Sequence, residues 1–217
     1  MKNGLALFFG AFAVLALSTG AVLYSAHKQL GSLTQYKDPV DEALHPAPLT
    51  GLADQGRAVY QDLGCVSCHT QQVRRDGFGG DTTRQWGTRQ SVARDYIREK
   101  TVFLGSSRIG PDLRNVAARA YADEAYLYTI LYAPHAVAPG TNMPSYDFLF
   151  DVHPIRPGQA SPYALKLSGK AAAPAGHEIV PTHRARALVA YLRSLNDSYE
   201  YPEAKPFVPE ANKEEGK

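Results

Sequence analysis

The chain contains few sulfur residues, and their scarcity limits the sites it can build. Its 217 residues include two cysteines, two methionines and one tryptophan. A zinc site of two cysteine pairs is disfavoured, because structural zinc takes four ligands and the sequence holds no second pair. A simple disulfide is also disfavoured, since Cys65 and Cys68 are separated by only two residues and the bridge would be strained.

The chain also lacks a strong charge of either sign. Its formal net charge is +2, and its arginines form no basic helix interleaved with aromatic residues. This argues against binding to nucleic acid. With 44% hydrophobic residues and 10% aromatics, the chain is suited to a packed core and is not disordered as a whole. We therefore expect a folded domain with no nucleic-acid partner.

Only one long hydrophobic run is present. Residues 4–26 carry no charge and are flanked by Lys2 and by His27 and Lys28. As a helix, this run would be about 34 Å long, which is enough to cross a bilayer. A cleaved signal peptide is the alternative, but the run is longer than a signal core and Tyr24-Ser25-Ala26 is a poor cleavage site. We expect residues 1–28 to form a retained transmembrane anchor in contact with the lipid bilayer.

The rest of the chain divides by composition. Residues 29–50 contain three prolines and no helical period, which predicts a tether. Residues 51–196 carry the helical patterns and are expected to form one domain. Residues 197–217 are acidic and contain proline, which predicts a mobile tail.

Hydrophobic periodicity predicts three helices and no strand. The first begins after Thr50 and ends before Gly64, the second spans about 123–132, and the third spans 183–195. The proline-rich region 133–181 is expected to be mostly loop. The predicted fold class is therefore all-α.

The chemistry is expected at Cys65-Val66-Ser67-Cys68-His69. Cys-x-x-Cys-His is the attachment motif of c-type haem, in which two thiols one helical turn apart bind one haem edge and the histidine faces the iron. A thioredoxin-like pair, a zinc site and a simple disulfide are the weaker alternatives. In bacteria, such haem is attached outside the cytoplasmic membrane. The motif thus predicts one covalent haem c, an N-terminus inside and a domain in the periplasm.

A second axial ligand is predicted by elimination. His/Met cytochromes use a thioether, and Met1 would lie on the other side of the membrane, which leaves Met143. Met143 lies between prolines in a loop and on no apolar helix face. A second histidine and an open site remain the alternatives. The candidate histidines are His135, His153, His177 and His183.

Several residues resemble those of class I cytochromes c. In that class a proline between the histidine and the methionine accepts a hydrogen bond from the haem histidine, and Pro111 in Gly110-Pro111-Asp112-Leu113 matches it. Gly56 and Tyr60 match the pair that lets the first helix cross the last, where Tyr191 is the expected contact. The resemblance implies a class I cytochrome c-like fold with long loops.

Longer motifs resemble one family more closely, the membrane-anchored mono-haem subunit (O subunit) of cbb(3)-type cytochrome c oxidases. They are 64–71, Ser91-Val92-Ala93, 105–113, 139–146 and 187–192. The chain departs from the family pattern at 103–105, where the family has Gln-Trp-Gly, and over 151–178. Its own Gln85-Trp86-Gly87 occurs earlier.

The resemblance implies a non-catalytic electron-transfer subunit in the inner membrane. Its expected partners are a haem-copper catalytic subunit that reduces oxygen and, as donor, a di-haem cytochrome c subunit or a soluble carrier. The alternatives are a mono-haem subunit of a nitric oxide reductase, a free membrane-tethered carrier and a haem-based sensor or enzyme with an open site.

Charge is distributed unevenly along the expected domain. Residues 70–119 hold ten basic and five acidic residues, whereas 120–151 hold four acidic residues and no basic one. One of these segments is expected to face a permanent partner, with Arg74 and Arg75 as candidate contacts, although a merely solvated surface is an equal alternative.

Overall fold

The structure is a computed structural model that describes residues 3–40, 42–156, 158, 160–204 and 206–207. The described part contains five α-helices and four short strands. The helices are α1 (Gly4–Leu30), α2 (Gly51–Asp62), α3 (Glu124–Tyr132), α4 (Pro134–Val137) and α5 (His183–Ser194). The strands are β1 (Tyr36–Lys37), β2 (Leu44–His45), β3 (Phe150–Pro154) and β4 (His177–Pro181).

The chain forms two compact units. The first comprises residues 1–46 with 93–98, and the second comprises 47–92 with 99–217. Met1, Lys2 and residues 208–217 lie outside the described residues, so the expected basic flank at Lys2 and the end of the expected tail lie there too.

Helix α1 dominates the first unit. It has 27 residues and is long and apolar enough to cross a membrane, and none of its side chains is buried against the part of the chain that the structure describes. His27 and Lys28 lie in its last turn. The apolar side chains of such a helix would contact either water or a bilayer. Contact with a bilayer avoids the unfavourable free energy of exposing apolar surface to water.

The segment after α1 has more structure than a flexible tether. Strands β1 and β2 pair antiparallel, with Tyr36 opposite His45. Two arginines of 93–98 contact this segment, since Arg94 donates to the Thr34 carbonyl and Arg98 donates to Gln35 Oε1. These contacts tie residues 34–35 to the 93–98 segment within the first unit.

The second unit is organised by the crossing of α2 and α5. A Cβ at Gly56 would lie 1.8 Å from the Ala187 carbonyl oxygen and 2.8 Å from Tyr191 Cβ, so the two backbones touch at this glycine. Next to the crossing, the rings of Tyr60 and Tyr191 are 5.4 Å apart and inclined by 60°. The contact that resemblance to class I cytochromes c implies for Tyr191 is therefore present.

Helix α3 completes the core because its apolar residues pack against α5. Asp123 caps α3 by accepting a hydrogen bond from the Tyr126 amide at 2.7 Å. Leu127, Tyr128 and Leu131 are buried in the same core as Tyr60, Leu188 and Tyr191. All three helices expected from periodicity are present within one or two residues of the expected bounds.

The all-α expectation is correct only in part, because the protein is helix-rich and also contains strands. Strands β3 and β4 pair antiparallel from Phe150 opposite Pro181 to Pro154 opposite His177. They lie in the region expected to be mostly loop. The pairing is non-local, and prolines at the two ends of the ladder conceal it from periodicity.

The first residues after α5 are packed, which differs from the expected mobile tail. Asp197 pairs with Arg114, while the Arg89 guanidinium lies 4.8 Å from the ring centre of Tyr201. Tyr201 and Ala204 are buried. Aromatic residues, which the acidic composition of the tail obscures, hold 197–204 in place.

We predict that Gly56→Ala destabilises the protein by about 2 kcal/mol, because its methyl group would overpack the α2–α5 crossing. Chemical denaturation followed by circular dichroism measures the change. Gln61→Ala, at an exposed position on α2, is the control and should change stability by less than about 0.5 kcal/mol. Equal stability of Gly56→Ala and the control would contradict the crossing.

Candidate haem site

The Cys-x-x-Cys-His motif begins where α2 ends. Gly64 adopts a left-handed conformation with φ +68°, which terminates the helix, and Cys65–Ser67 form a 3₁₀ turn. The amides of Cys68 and His69 both donate to the Cys65 carbonyl, at 3.2 and 3.0 Å. This compact turn holds both thiols and the imidazole next to the end of α2.

The imidazole of His69 is held by the Gly110-Pro111 segment. His69 Nδ1 lies 2.8 Å from the Pro111 carbonyl oxygen and donates a hydrogen bond to it. A Cβ on Gly110 would lie 2.2 Å from His69 Cε1, so the ring can take this position only against a glycine. The hydrogen bond fixes the ring and leaves Nε2 as the nitrogen that can bind a metal.

Burial favours the neutral form of this imidazole. Desolvation lowers the pKa of His69, the hydrogen bond to Pro111 opposes that effect, and the positive charge of Arg119 lowers the pKa further. A neutral imidazole is the form that binds metal ions. The environment of His69 therefore suits an axial ligand.

Asp112 fixes the segment that carries the Pro111 carbonyl. Its fully buried carboxylate accepts hydrogen bonds from Thr70 Oγ1 at 2.5 Å and from the Gln72 amide at 2.8 Å. It also accepts from the Arg114 amide at 2.8 Å. The residues on both sides of the His69–Pro111 hydrogen bond are thus joined by one carboxylate.

Arg108 extends this support to a distant loop. Its guanidinium makes a two-pronged ion pair with the buried Asp81 and donates to the Gln72 carbonyl at 2.7 Å. Its Nε donates to Thr70 Oγ1 at 3.0 Å, and Nη2 lies 3.8 Å from Asp112 Oδ2. A buried arginine with so many partners is a rigid brace, since each partner is desolvated and needs the others.

The two cysteines are free thiols in this structure. Burial raises the pKa of the Cys65 thiol to about 11, against a hydrogen bond with Tyr146 that lowers it. A redox-active pair needs a thiol with a depressed pKa, so the environment of Cys65 does not favour the thioredoxin-like alternative.

Met143 lies in a loop fixed to the end of α3. Ser145 Oγ donates to the Tyr132 carbonyl at 2.6 Å, and the Tyr146 amide donates to the Leu131 carbonyl at 2.8 Å. Met143 is partly buried at the edge of the same core that Cys65 borders. Since Tyr146 lies close enough to the Cys65 thiol to lower its pKa, this loop and the attachment motif are neighbours.

The four alternative histidines are exposed or engaged elsewhere. His183 Nε2 lies 2.7 Å from Gln55 Oε1, and His177 Nδ1 lies 3.1 Å from the Ala175 carbonyl oxygen. His153 lies on β3 with its Nδ1 3.6 Å from Glu178, and His135 is exposed. None of these contacts involves the Cys65–His69 turn.

These donor groups fit a haem. A neutral imidazole with Nδ1 engaged, two adjacent thiols and a nearby thioether are the groups that c-type haem proteins use. Within the described ranges, no three His, Cys, Asp or Glu side chains cluster as they would around a metal ion alone. The residues therefore suit an iron porphyrin better than a bare metal ion.

Four of the nine arginines of the basic segment 70–119 serve the interior. Arg89 and Arg114 are buried, Arg108 pairs with Asp81, and Arg119 donates to the Asp112 carbonyl. Arg74 and Arg75 are exposed. A count of charges along the sequence overestimates the positive surface of this segment.

The supporting residues were not all visible in the sequence. Gly110-Pro111-Asp112 was identified from its motif, but Asp81 and Arg108 were not singled out as partners. They lie 27 residues apart, and no periodicity joins them. A glycine-rich stretch with one carboxylate, 77–81, is the only local signal that preceded the contact.

Comparison with known families gives the class of protein, which is a subunit of cytochrome c oxidase. The chain belongs to the mono-haem subunit/FixO family of cytochrome c oxidase, whose match covers residues 6–167. The match includes the apolar helix, the Cys65–His69 motif and Met143, and it confirms the resemblance seen in the sequence. No curated protein matches the chain.

We predict that Gly110→Ala displaces the His69 ring, because the new methyl group would occupy the space of Cε1. The ¹⁵N NMR signal of a protonated Nδ1, expected near neutral pH in the parent protein, should then be lost or exchange much faster. Gly80→Ala is the matched control, because a Cβ there meets its nearest atom at an ordinary 3.4 Å. An unchanged signal in Gly110→Ala would contradict the geometry.

Proposed function

We propose that this chain is the electron-transfer subunit of a cbb(3)-type respiratory oxidase. One haem c would be attached to Cys65 and Cys68, with His69 and Met143 as the axial ligands. The bound haem would supply a one-electron redox couple. The subunit would pass electrons to a haem-copper catalytic subunit that reduces oxygen, and would receive them from a di-haem cytochrome c subunit or a soluble donor.

One observation carries this proposal. His69, directly after the second cysteine of the motif, donates Nδ1–H to the Pro111 carbonyl at 2.8 Å and rests on Gly110. That arrangement orients Nε2 and increases the basicity of the imidazole, as it does for histidines that bind metals in general. A thiol redox pair does not require it, and the described residues offer no cluster of three ligands for a zinc ion.

The packing of α2, α3 and α5 supports a class I cytochrome c-like domain. The first and last helices of the domain cross at Gly56, and the attachment motif follows the first helix directly. The strands β3 and β4 would be an addition to that fold. They overlap 151–178, where the sequence departs from the family pattern.

The chain's own residues have separate roles in this proposal. His69 and Met143 would both hold the iron, which would leave no ligand position for a substrate and would make the subunit non-catalytic. Pro111 would hold the imidazole, and the Arg108–Asp81 pair would keep Pro111 in place. Apolar residues around the site, including Val66 and Leu113, would exclude water and so influence the reduction potential.

The proposed location is the inner membrane, with α1 as a single-pass anchor and the haem domain in the periplasm. Since covalent attachment takes place on that side, residues 47–204 would be exposed there. Protease added to spheroplasts should then degrade this domain while a cytoplasmic marker stays intact. Protection of the domain in intact spheroplasts would contradict the orientation.

We predict that Cys65→Ser/Cys68→Ser abolishes covalent haem attachment, because both thioether bonds are lost. Haem staining of the chain on a denaturing gel measures this directly. Ser67→Ala is the control, since Ser67 lies exposed between the two cysteines and contributes no thiol. Full staining of the double variant would overturn the attachment assignment.

We predict that Met143→Ala opens an axial position. The reduced parent protein should not bind carbon monoxide, whereas the reduced variant should bind it and show the corresponding shift in its absorption spectrum. His135→Ala, the control for the competing ligand class, should stay inert to carbon monoxide. Carbon monoxide binding by the reduced parent protein would refute Met143 ligation and favour the sensor alternative.

A further inference from the structure

A cavity of about 810 Å³ lies in the second unit, and none of the proposed haem ligands lines it. Its size lies within the range of small-molecule sites, which is roughly 300 to 1,000 Å³. The wall includes Arg84, Gln85, Asn115, Arg119, Tyr121 and Phe207. None of the sequence motifs accounts for this cavity.

The lining carries positive charge without compensation. Arg84 and Arg119 both line the cavity, and its described lining contains no carboxylate. Arg84 is exposed and its guanidinium lies 4.9 Å from the ring centre of Trp86. Stacking on an aromatic ring fixes a guanidinium in place and leaves its N–H edge free to donate to a planar oxyanion.

Arg119 has an unused donor. One of its terminal nitrogens donates to the Asp112 carbonyl, whereas its Nε is buried and has no hydrogen-bond partner among the described residues. An atom this buried does not reach a ligand in the cavity, so Arg119 contributes the positive charge of a guanidinium that the Asp112 carbonyl holds in place.

The wall is also strained and preorganised. Gln85 adopts φ +55°, which is uncommon for a residue other than glycine and often marks a functional site. Asn115 is fixed by two contacts, because its Nδ2 donates to the Trp86 carbonyl at 3.1 Å and its Oδ1 accepts from the Asp197 amide at 2.7 Å. Such fixed walls reduce the entropy lost on binding.

We propose that this cavity is a binding site for a small organic anion, in which a carboxylate or phosphate group contacts Arg84 and Arg119. Tyr121 and Phe207 offer apolar surface for a flat, apolar part of the ligand. The shared chemistry is an oxyanion on a planar apolar body. The aromatic side chains would favour an anion that carries an apolar ring over a simple inorganic anion, a selectivity that the positive charges alone would not provide.

The site is coupled to the haem histidine through Arg119, a consequence that rests on the proposed function. Arg119 holds the Asp112 carbonyl, one residue after the Pro111 carbonyl that accepts from His69. An anion beside Arg119 would offset the positive charge of this guanidinium and favour the ferric state, which carries one more positive charge. By linkage, the ferric protein would bind the anion more tightly.

The test is calorimetric titration of the full chain, loaded with haem and held in detergent, with phenyl phosphate and with benzoate. Phenol, which has the ring without the charge, is the ligand control. We expect saturable binding of at least one anion and none of phenol. Binding of only one anion identifies the headgroup as phosphate or carboxylate, and binding of neither overturns the site.

Two variants test the location without touching the proposed haem ligands. Arg84→Gln should weaken binding by about tenfold, which corresponds to about 1.4 kcal/mol, and Ala120→Phe should abolish it by filling the cavity. Arg75→Gln is the matched control, an exposed arginine outside the cavity lining, and should bind as the parent does. Equal weakening in Arg84→Gln and Arg75→Gln would show nonspecific charge attraction and overturn the site.

The coupling has its own readout, which is the ratio of the dissociation constants for the ferric and ferrous proteins. Tighter binding to the ferric protein, with a matching fall in reduction potential on saturation, supports the coupling. Equal affinity for both states overturns it. Calorimetry of the haem-free chain keeps the anion site testable even if the haem assignment fails.

Discussion

The hydrogen bond from His69 Nδ1 to the Pro111 carbonyl is the interaction on which the rest of this structure depends. It joins the turn at the end of α2 to a segment 42 residues further along the chain. Gly110 makes this hydrogen bond possible, because any side chain there would displace the ring. Asp112 holds together the two chain segments that carry its donor and its acceptor. The Arg108–Asp81 ion pair holds the same segments from a third loop, because Arg108 also donates to Thr70 and Gln72. Many of the buried polar contacts therefore help to position one imidazole.

The α2–α5 crossing provides the frame for that interaction. Gly56 allows the two helices to touch, and the paired rings of Tyr60 and Tyr191 fill the adjacent core. The Tyr191 hydroxyl donates to the buried Gln71 at 3.0 Å, two residues after His69. The last helix therefore supports the ligand segment directly as well as through the core.

Local patterns predicted the three helices and the attachment motif, because each depends on residues close in sequence. The Pro111 contact joins residues 42 positions apart, and it was expected only from the resemblance to class I cytochromes c. The β3–β4 pair was not predicted, since a long proline-rich segment separates the two strands. Neither strand shows a clear alternation of apolar and polar residues. The Asp81–Arg108 pair escaped for a related reason, because a contact across 27 residues depends on the fold. The packing of 197–204 was not predicted, because the acidic composition of the tail indicated mobility. The packing depends on two aromatic residues within it, Tyr199 and Tyr201.

Purification of the chain from native membranes in mild detergent, combined with oxygen-driven oxidation of its haem, tests the central claim most directly. The account predicts that a multi-span haem-copper subunit copurifies and that oxygen oxidises the reduced haem of this chain within the complex. Recovery of an intact haem protein alone, with a haem that oxygen does not oxidise through a partner, would contradict it. The chain would then be a free membrane-tethered carrier that shares only the family's ancestry.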